Sequence, residues 1–402
     1  MTIKTIAQTK EITSVTAEEL NKEQMILGGK FGGTCYAKEG YQTIRRQPIE
    51  KALVRAENTA KRGHHSVFGH GMITMEINCS KIIAMLLNSI GVSNTSEKSA
   101  RYTQMEPDTA LEKELYVKWH DIFVQRIGEE YPLKFTEKEI DKLAYENARY
   151  LISVFSKTSM VYSLPFRNIF YVIDWTEKMI KNLETMEGTF NQRLCQELKE
   201  LKEAFLGVVG NCSFHDNKNE MFRFMPVQAA GCYDDDNKEY FGDVYTAKFT
   251  ASFAQVAQEQ RHRTTRVKIN FSGKDAEEFG FYVPAILRNT DWENEWLSDC
   301  KRVKDVYIQG MLVSVTEQGL FEDFALKCKE RMCGRAQLEI MEHTNNLVLK
   351  FAKNKDNLSK KNRERLEDML VNDVPCARCG YSDFVCEDGC KWGKSGAITR
   401  LI

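Results

Sequence analysis

The feature that most constrains the fold of this 402-residue chain is an internal echo. Gly32-Gly33-Thr34-Cys35-Tyr36 is answered by Ala229-Ala230-Gly231-Cys232-Tyr233. The alternating run Met72-Ile73-Thr74-Met75-Glu76-Ile77 precedes a helical stretch at Ser80–Leu87. In the same way, Val244-Tyr245-Thr246-Ala247-Lys248-Phe249 precedes the helix-compatible run that ends before Arg261. A repeat of this length calls for one folding unit used twice. The expected fold is therefore α+β: two degenerate copies packed as an internal pseudo-dimer, over residues 1–210 and 211–352, with a tail over 353–402. Residues 1–30 read as a strand and a short helix capped near Thr16. Residues 109–131, 136–158, 168–180, 191–205 and 321–346 read as helices, and 353–366, rich in Lys, Asn and Arg, as an exposed linker.

Chemistry concentrates in Gln258-Glu259-Gln260-Arg261-His262-Arg263, where a helix end would aim several fixed donors at one anion. Arginine suits that work because its planar fork binds phosphate or a carbonyl pair and stays charged. The competing reading is a solvated basic helix end favoured by the helix dipole. Net charge is −1, so no global field attracts nucleic acid or a membrane, and an anion site has to be local. The longest apolar run, Ile82–Leu87, is too short to span a bilayer. No export signal is evident, so the 12 cysteines are expected as cytoplasmic thiols.

Three of the 7 histidines, His64, His65 and His70, fall in one short segment with Ser66. Ser96-Glu97-Lys98-Ser99-Ala100-Arg101-Tyr102 holds a carboxylate, hydroxyls, a guanidinium and a phenol; it reads as a phosphate-and-sugar reader or as a capped turn. In the tail, Cys376, Cys379, Cys386 and Cys390 lie within fifteen residues. They are read as a structural zinc site, against four unrelated thiols.

Together these segments resemble the flavin-dependent thymidylate synthases. The family's Gln-x-x-Arg-His-Arg appears as Gln258 and Arg261-His262-Arg263. Its Glu-x-Ser-x-Arg-Tyr appears as Glu97, Ser99, Arg101 and Tyr102. Its histidine-rich strand entry appears as His64–His70, with Val67 and Gly69 in place of Pro and Glu. Its Ala-Arg appears as Ala148-Arg149, and its late Arg before Ala-Gln-x-Glu-Ile appears as Arg331 before Ala336-Gln337-Leu338-Glu339-Ile340. The first half lacks Arg-His-Arg and the second lacks Ser-x-Arg-Tyr, so one composite site is expected, within a chain or between two chains.

The resemblance implies methylation of deoxyuridylate to thymidylate, or a related pyrimidine modification. FAD, NADPH and methylene-tetrahydrofolate would take part. Arg261 and Arg263 would act on the pyrimidine ring. Gln258, Arg331, Ser99, Arg101, Tyr102 and Arg149 would bind the nucleotide. His64, Ser66, Glu97, Arg167, His262 and Arg263 would touch the flavin. It also implies a homo-oligomer. The alternative is a non-catalytic nucleotide-binding or nucleic-acid-binding protein on the same fold.

Overall fold

The computed structural model describes residues 11–402, apart from 13, 39, 62–64, 91–92, 100–105, 211–242, 263 and 387–389. In chain order the main elements of the first half are α1 (Ala17–Gly33), α2 (Ile49–Lys61), β1 (Met72–Ser80), α3 (Lys81–Ser89), β2 (Asn94–Glu97), α4 (Ala110–Glu130), α5 (Glu137–Ala148), β3 (Lys157–Pro165), α6 (Phe166–Leu183) and α7 (Thr189–Val209). Those of the second half are β4 (Val244–Ser252), α8 (Phe253–Glu259), β5 (Arg266–Asn270), α9 (Asp291–Arg302), β6 (Leu312–Leu320), α10 (Phe321–Arg331), α11 (Leu338–Lys353) and α12 (Lys360–Asp368).

One order of elements recurs. In each half a nine-residue strand runs directly into a helix, a shorter strand follows, and a largely helical insertion leads to a second nine-residue strand. That strand again runs directly into a helix. Both sheets have the same spatial order, β1-β3-β2 and β4-β6-β5, with the last strand in the middle. The central strand β6 is antiparallel to both neighbours, and β3 is antiparallel to β2. The second member of the Cys-Tyr echo, residues 229–233, lies outside the described residues.

By packing, the chain divides into two compact units that cut across the boundaries expected from sequence. The first holds Met1–Cys79, Ile90–Glu97 and Ser159–Met225; the second holds Ser80–Ser89, Lys98–Thr158 and Pro226–Ile402.

In the first unit, Thr16 caps α1 and Glu19 reaches back to close the box. The helix runs on to Gly33, well past the short helix expected. Its glycines are there for close approach: a Cβ on Gly29 would fall 1.9 Å from the Ala52 carbonyl oxygen of α2. Gly28 is likewise filled by the Phe68 ring.

In the second unit, Trp119 and Phe123 of α4 pack on Trp296 of α9, with the Trp119 and Trp296 rings edge-to-face at 4.9 Å. A second cluster joins Tyr245, Phe321, Phe324, Met341 and Val348 to Leu366 and Tyr381. Three expectations change here. The helix read over 136–158 ends at Ala148 in a 3-10 turn, Arg149–Leu151, because Ser153 is drawn off by the Glu112 carboxylate and a bridge to Ile308. The helix read over 321–346 is two helices, broken over 332–337. The linker read over 353–366 contains α12, whose charged faces surround one fully buried anchor, Leu366, while Asn362 donates to the Asp243 carboxylate at 2.9 Å. Among the described residues no helix is long and apolar enough to cross a membrane.

Candidate functional site

The site of the second unit is built from the ends of α8, α10 and α5. Strand β4 stops at Ser252, whose hydroxyl accepts from the Gln255 amide and starts α8. Phe253, Ala254 and Val256 bury one face of that helix, leaving Gln258 in its last turn. Beyond it the chain turns tightly. Arg261 N donates to Gln258 O at 3.2 Å, His262 N to Glu259 O at 2.9 Å, and Thr265 closes on His262 O through both its amide and its hydroxyl.

His262 is thereby sunk to 5% exposure. Its Nε2 accepts from Arg331 Nε at 2.7 Å, so the ring proton sits on Nδ1, which faces Glu330 Oε2 at 3.8 Å. Burial first, then the charges of Arg331 and Lys327, hold its pKa down at about 3. Arg331 ends α10 and also donates to Gln258 O at 3.3 Å.

Arg149 arrives from the first half of the sequence. The 3-10 turn that carries it is stitched to residues 307–310: Gly310 N donates to Tyr150 O at 2.7 Å and Gln309 N to Ile152 O at 2.8 Å. Arg149 Nη2 donates to Gln337 Oε1, and Gln258 Nε2 donates to the same oxygen. Gln337 Nε2 donates in turn to the Tyr150 hydroxyl, which donates to Glu339 Oε2 at 2.9 Å. Ser252 completes the carboxylate's shell through its amide at 3.0 Å and its hydroxyl at 2.6 Å. Burial raises the Glu339 pKa to about 7 against these bonds. Gln258 Oε1 is buried and has no partner among the described residues. A cavity of about 390 Å³ lies alongside, lined by Tyr150, Tyr282, Gln337, Glu339, Glu146 and Arg335.

Below the site lies a buried ionic triad. Lys327 Nζ stands 2.6 Å from Glu259 Oε2 and 2.8 Å from Glu317 Oε2, and all three side chains are 0% exposed. Burial and the neighbouring Glu259 charge raise the Glu317 pKa, with Lys327 acting against them, and Tyr245 donates to its carboxylate. The triad ties the end of α8, and so Gln258, to β6 and α10.

In the first unit, Ser66 is exposed on the 3-10 turn His65–Gly69, while His65 is buried with Nε2 3.0 Å from Ala60 O. Arg167 enters from the first turn of α6. A Cβ on Gly69 would stand 3.3 Å from Arg167 Nε, so glycine, in place of the family's glutamate, leaves room for the guanidinium. Arg167 Nε and Asn168 Oδ1 are buried without partners among the described residues. Glu97 ends β2, half-buried, opposite Met160. Ser99 is half-buried after it. His64, Arg101, Tyr102 and Arg263 lie outside the described residues, and Arg261 is half-buried in the turn after α8.

Residues 22–178 match the family model described as "Thymidylate synthase complementing protein". Over that span, less than half of the chain, the sequence is similar to the flavin-dependent thymidylate synthase family. No curated protein matches the chain. The matched span holds the histidine-rich entry, Glu97, Ser99, Arg149 and Arg167, whereas Gln258, Arg261, His262 and Arg331 lie beyond it. A thymidylate synthase reading therefore rests on the family for the first half and on geometry for the second.

Sequence reasoning missed Gln337, Tyr150, Glu339 and Asn168. Gln337 and Glu339 stood within a quoted motif and were used only as landmarks, and Tyr150 directly follows Arg149. Asn168 follows Arg167 directly, and only its buried, unpaired oxygen marks it. The four-cysteine expectation has no ready metal geometry: among the described residues no group of three or more His, Cys, Asp or Glu side chains is disposed to hold an ion. Cys379, Cys386 and Cys390 instead share a cavity of about 10 Å³ with Cys333, which the zinc reading had left out.

Proposed function

We propose that this chain carries out FAD-dependent methylation of deoxyuridylate, with methylene-tetrahydrofolate as carbon donor and NADPH as reductant. The observation that carries the reading is the convergence of Arg149, Gln258, His262 and Arg331 on one network in the second unit. Arg149 comes from the first half of the sequence and the others from the second. Arg149, one member of the set expected from the first half, thus meets Gln258 of the other set within one chain, which supports a composite site inside a single chain. The matching element order of the two halves supports an internal duplication in which one such site is retained.

Arg149, Arg261 and Arg331 would take the nucleotide's phosphate and ring carbonyls, with Gln258 turning its buried oxygen to a ring or sugar donor. Fixed guanidinium groups in a site closed from water stabilise negative charge developing on the pyrimidine without reorganising, which is where such residues contribute most. His262 is held neutral with Nε2 taken by Arg331, so it has only its Nδ1–H to offer. Flavin, when bound, supplies the hydride chemistry. In the first unit Arg167 Nε and Asn168 Oδ1 supply a buried donor and acceptor that fit such a group, with His64, Ser66 and Glu97 as further candidates.

The test is the purified protein's absorption spectrum and the mass of product from deoxyuridylate supplied with FAD, NADPH and methylene-tetrahydrofolate. A yellow protein and a gain of one methyl group are expected; a hydroxymethyl gain changes the product but keeps the class. A colourless protein that binds deoxyuridylate and leaves it unchanged is a nucleotide-binding protein, and the enzyme reading is then wrong.

A further inference from the structure

The cysteine-bearing tail lies beyond the matched family residues, yet it grips the loop whose two ends are Arg331 and Gln337. That loop, residues 332–337, joins α10 to α11 and exposes backbone carbonyls that no helix satisfies. Two tail arginines satisfy them. Arg378 N donates to Met332 O at 2.7 Å, and its Nη1 donates to Lys329 O at 2.8 Å in the last turn of α10. Arg400, 6% exposed, forks across the loop, with Nη1 donating to Gly334 O and Nη2 to Ala336 O at 2.6 Å. Trp392 packs against Gly334, where a Cβ would fall 2.6 Å from its Cδ1. Trp392 is itself wedged against Tyr131 and Phe135, with Lys134 Nζ 3.9 Å from its ring centroid.

These contacts are more than the docking of a tail. The tail is already anchored by Leu366, Met369, Ala377 and Tyr381 in the hydrophobic cluster of the second unit. The fork of Arg400 adds a fixed geometry for two carbonyls between the residue that holds His262 and the residue that bridges Arg149 and Gln258. A loop that contains a glycine and is held within itself by a turn bond, Ala336 N to Cys333 O at 2.9 Å, would otherwise sample several conformations, and a binding set displaced by a fraction of an ångström loses affinity.

We propose that Arg400, assisted by Arg378, is a positioning residue for nucleotide binding: the tail sets the loop that presents Arg331 and Gln337. The inference rests on the nucleotide reading above. In the full-length protein, Arg400→Gln should raise KM for deoxyuridylate by about tenfold or more with kcat changed less than about threefold, because a group that orients ground-state contacts acts on binding. Arg400→Lys keeps the charge but cannot span both carbonyls, and should recover only part of the loss. Asp383→Ala, which removes the tail's surface pair with Lys329, should leave both constants unchanged. Amides of 332–337 in the nucleotide-free protein should exchange faster in Arg400→Gln than in Asp383→Ala.

If Arg400→Gln is too unstable to assay, Arg378→Gln removes the Lys329 contact and the guanidinium's seat over the Phe384 ring, 4.6 Å from its centroid, while leaving the backbone bond to Met332, and should show a smaller shift of the same kind. Faster loop exchange with unchanged KM overturns the inference and leaves the nucleotide reading standing. An equal fall in kcat for Arg400→Gln and Arg400→Lys that follows the folded fraction also overturns it, since that is a stability effect. Wild-type protein that binds no deoxyuridylate overturns the nucleotide reading, and the inference with it, whatever the loop exchange shows.

Discussion

The amide of Gln337 accepts from two cationic or amide donors and donates to a phenol, so one uncharged side chain organises three residues from distant parts of the sequence. Its removal leaves several buried polar groups without partners. Gln337→Leu should therefore cost about 2–3 kcal/mol in urea unfolding, and deoxyuridylate binding should weaken with it. A loss below half a kcal/mol would mean that the network is loosely held. Lys327 makes a sharper case. Replacing it with Met strands Glu259 and Glu317 in the interior, at a cost of roughly 3–5 kcal/mol. Adding Glu259→Gln and Glu317→Leu to that variant should recover most of the loss, because the penalty lies in uncompensated charge rather than in missing attraction. If the triple variant unfolds as readily as Lys327→Met alone, packing and not charge explains the triad.

At the scale of elements, the site depends on places where helices stop. Arg149 can reach Gln337 because α5 ends one residue before it and the next turn is bonded to residues 307–310. Gly310 permits that approach: a Cβ there would lie 3.0 Å from both Cβ and O of Tyr150. Gly310→Ala should destabilise the protein by about 1–3 kcal/mol through overpacking and should weaken nucleotide binding, while the absorption of the flavin proposed for the first unit should be kept. Loss of colour together with affinity would show that the strain spreads beyond the turn. The break between α10 and α11 serves the same end on the other side. A continuous helix through 332–337 would carry Arg331 and Gln337 on one rigid cylinder, whereas the loop lets each turn toward its own partner.

For the whole molecule, acid stability follows from buried groups of both signs. His262 and His343 are held neutral at pKa values of about 3, each chiefly by burial, so an unfolded chain takes up protons near pH 6.5 that the folded one refuses. Their contribution is present above pH 6.5 and is lost as pH falls toward 3. Glu339 has the opposite sign: raised to about 7, it contributes stability below pH 4.5 that is lost as pH rises through 7. Glu317, also raised by burial, acts in the same sense as Glu339; at roughly 1.4 kcal/mol per pH unit of displacement, the two histidines are expected to set the net sign. The thermal midpoint should fall between pH 7 and pH 5, and less so in His343→Phe. A midpoint that rises on acidification would mean that the histidines are solvated.

What the sequence determined by itself is local in cause. The Thr16 cap, the strand-then-helix order in both halves and a helix carrying Gln258 in its last turn were legible, although that helix stops at Glu259 and leaves Arg261 in the turn beyond it. Each depends on residues a few positions apart. The tertiary structure alone decided the rest. The glycines late in α1 have their reason only where Ala52 of α2 closes on Gly29. Residues 360–368 read as a linker because a single buried leucine cannot outvote their charges in composition. Gln337, Asn168 and Arg400 matter only through partners far away in sequence. The meeting of Arg149 with Gln258 inside one chain follows from long-range packing. Hydrogen-bond capacity is a property of each residue, but the partner that satisfies it is chosen only when the chain is folded.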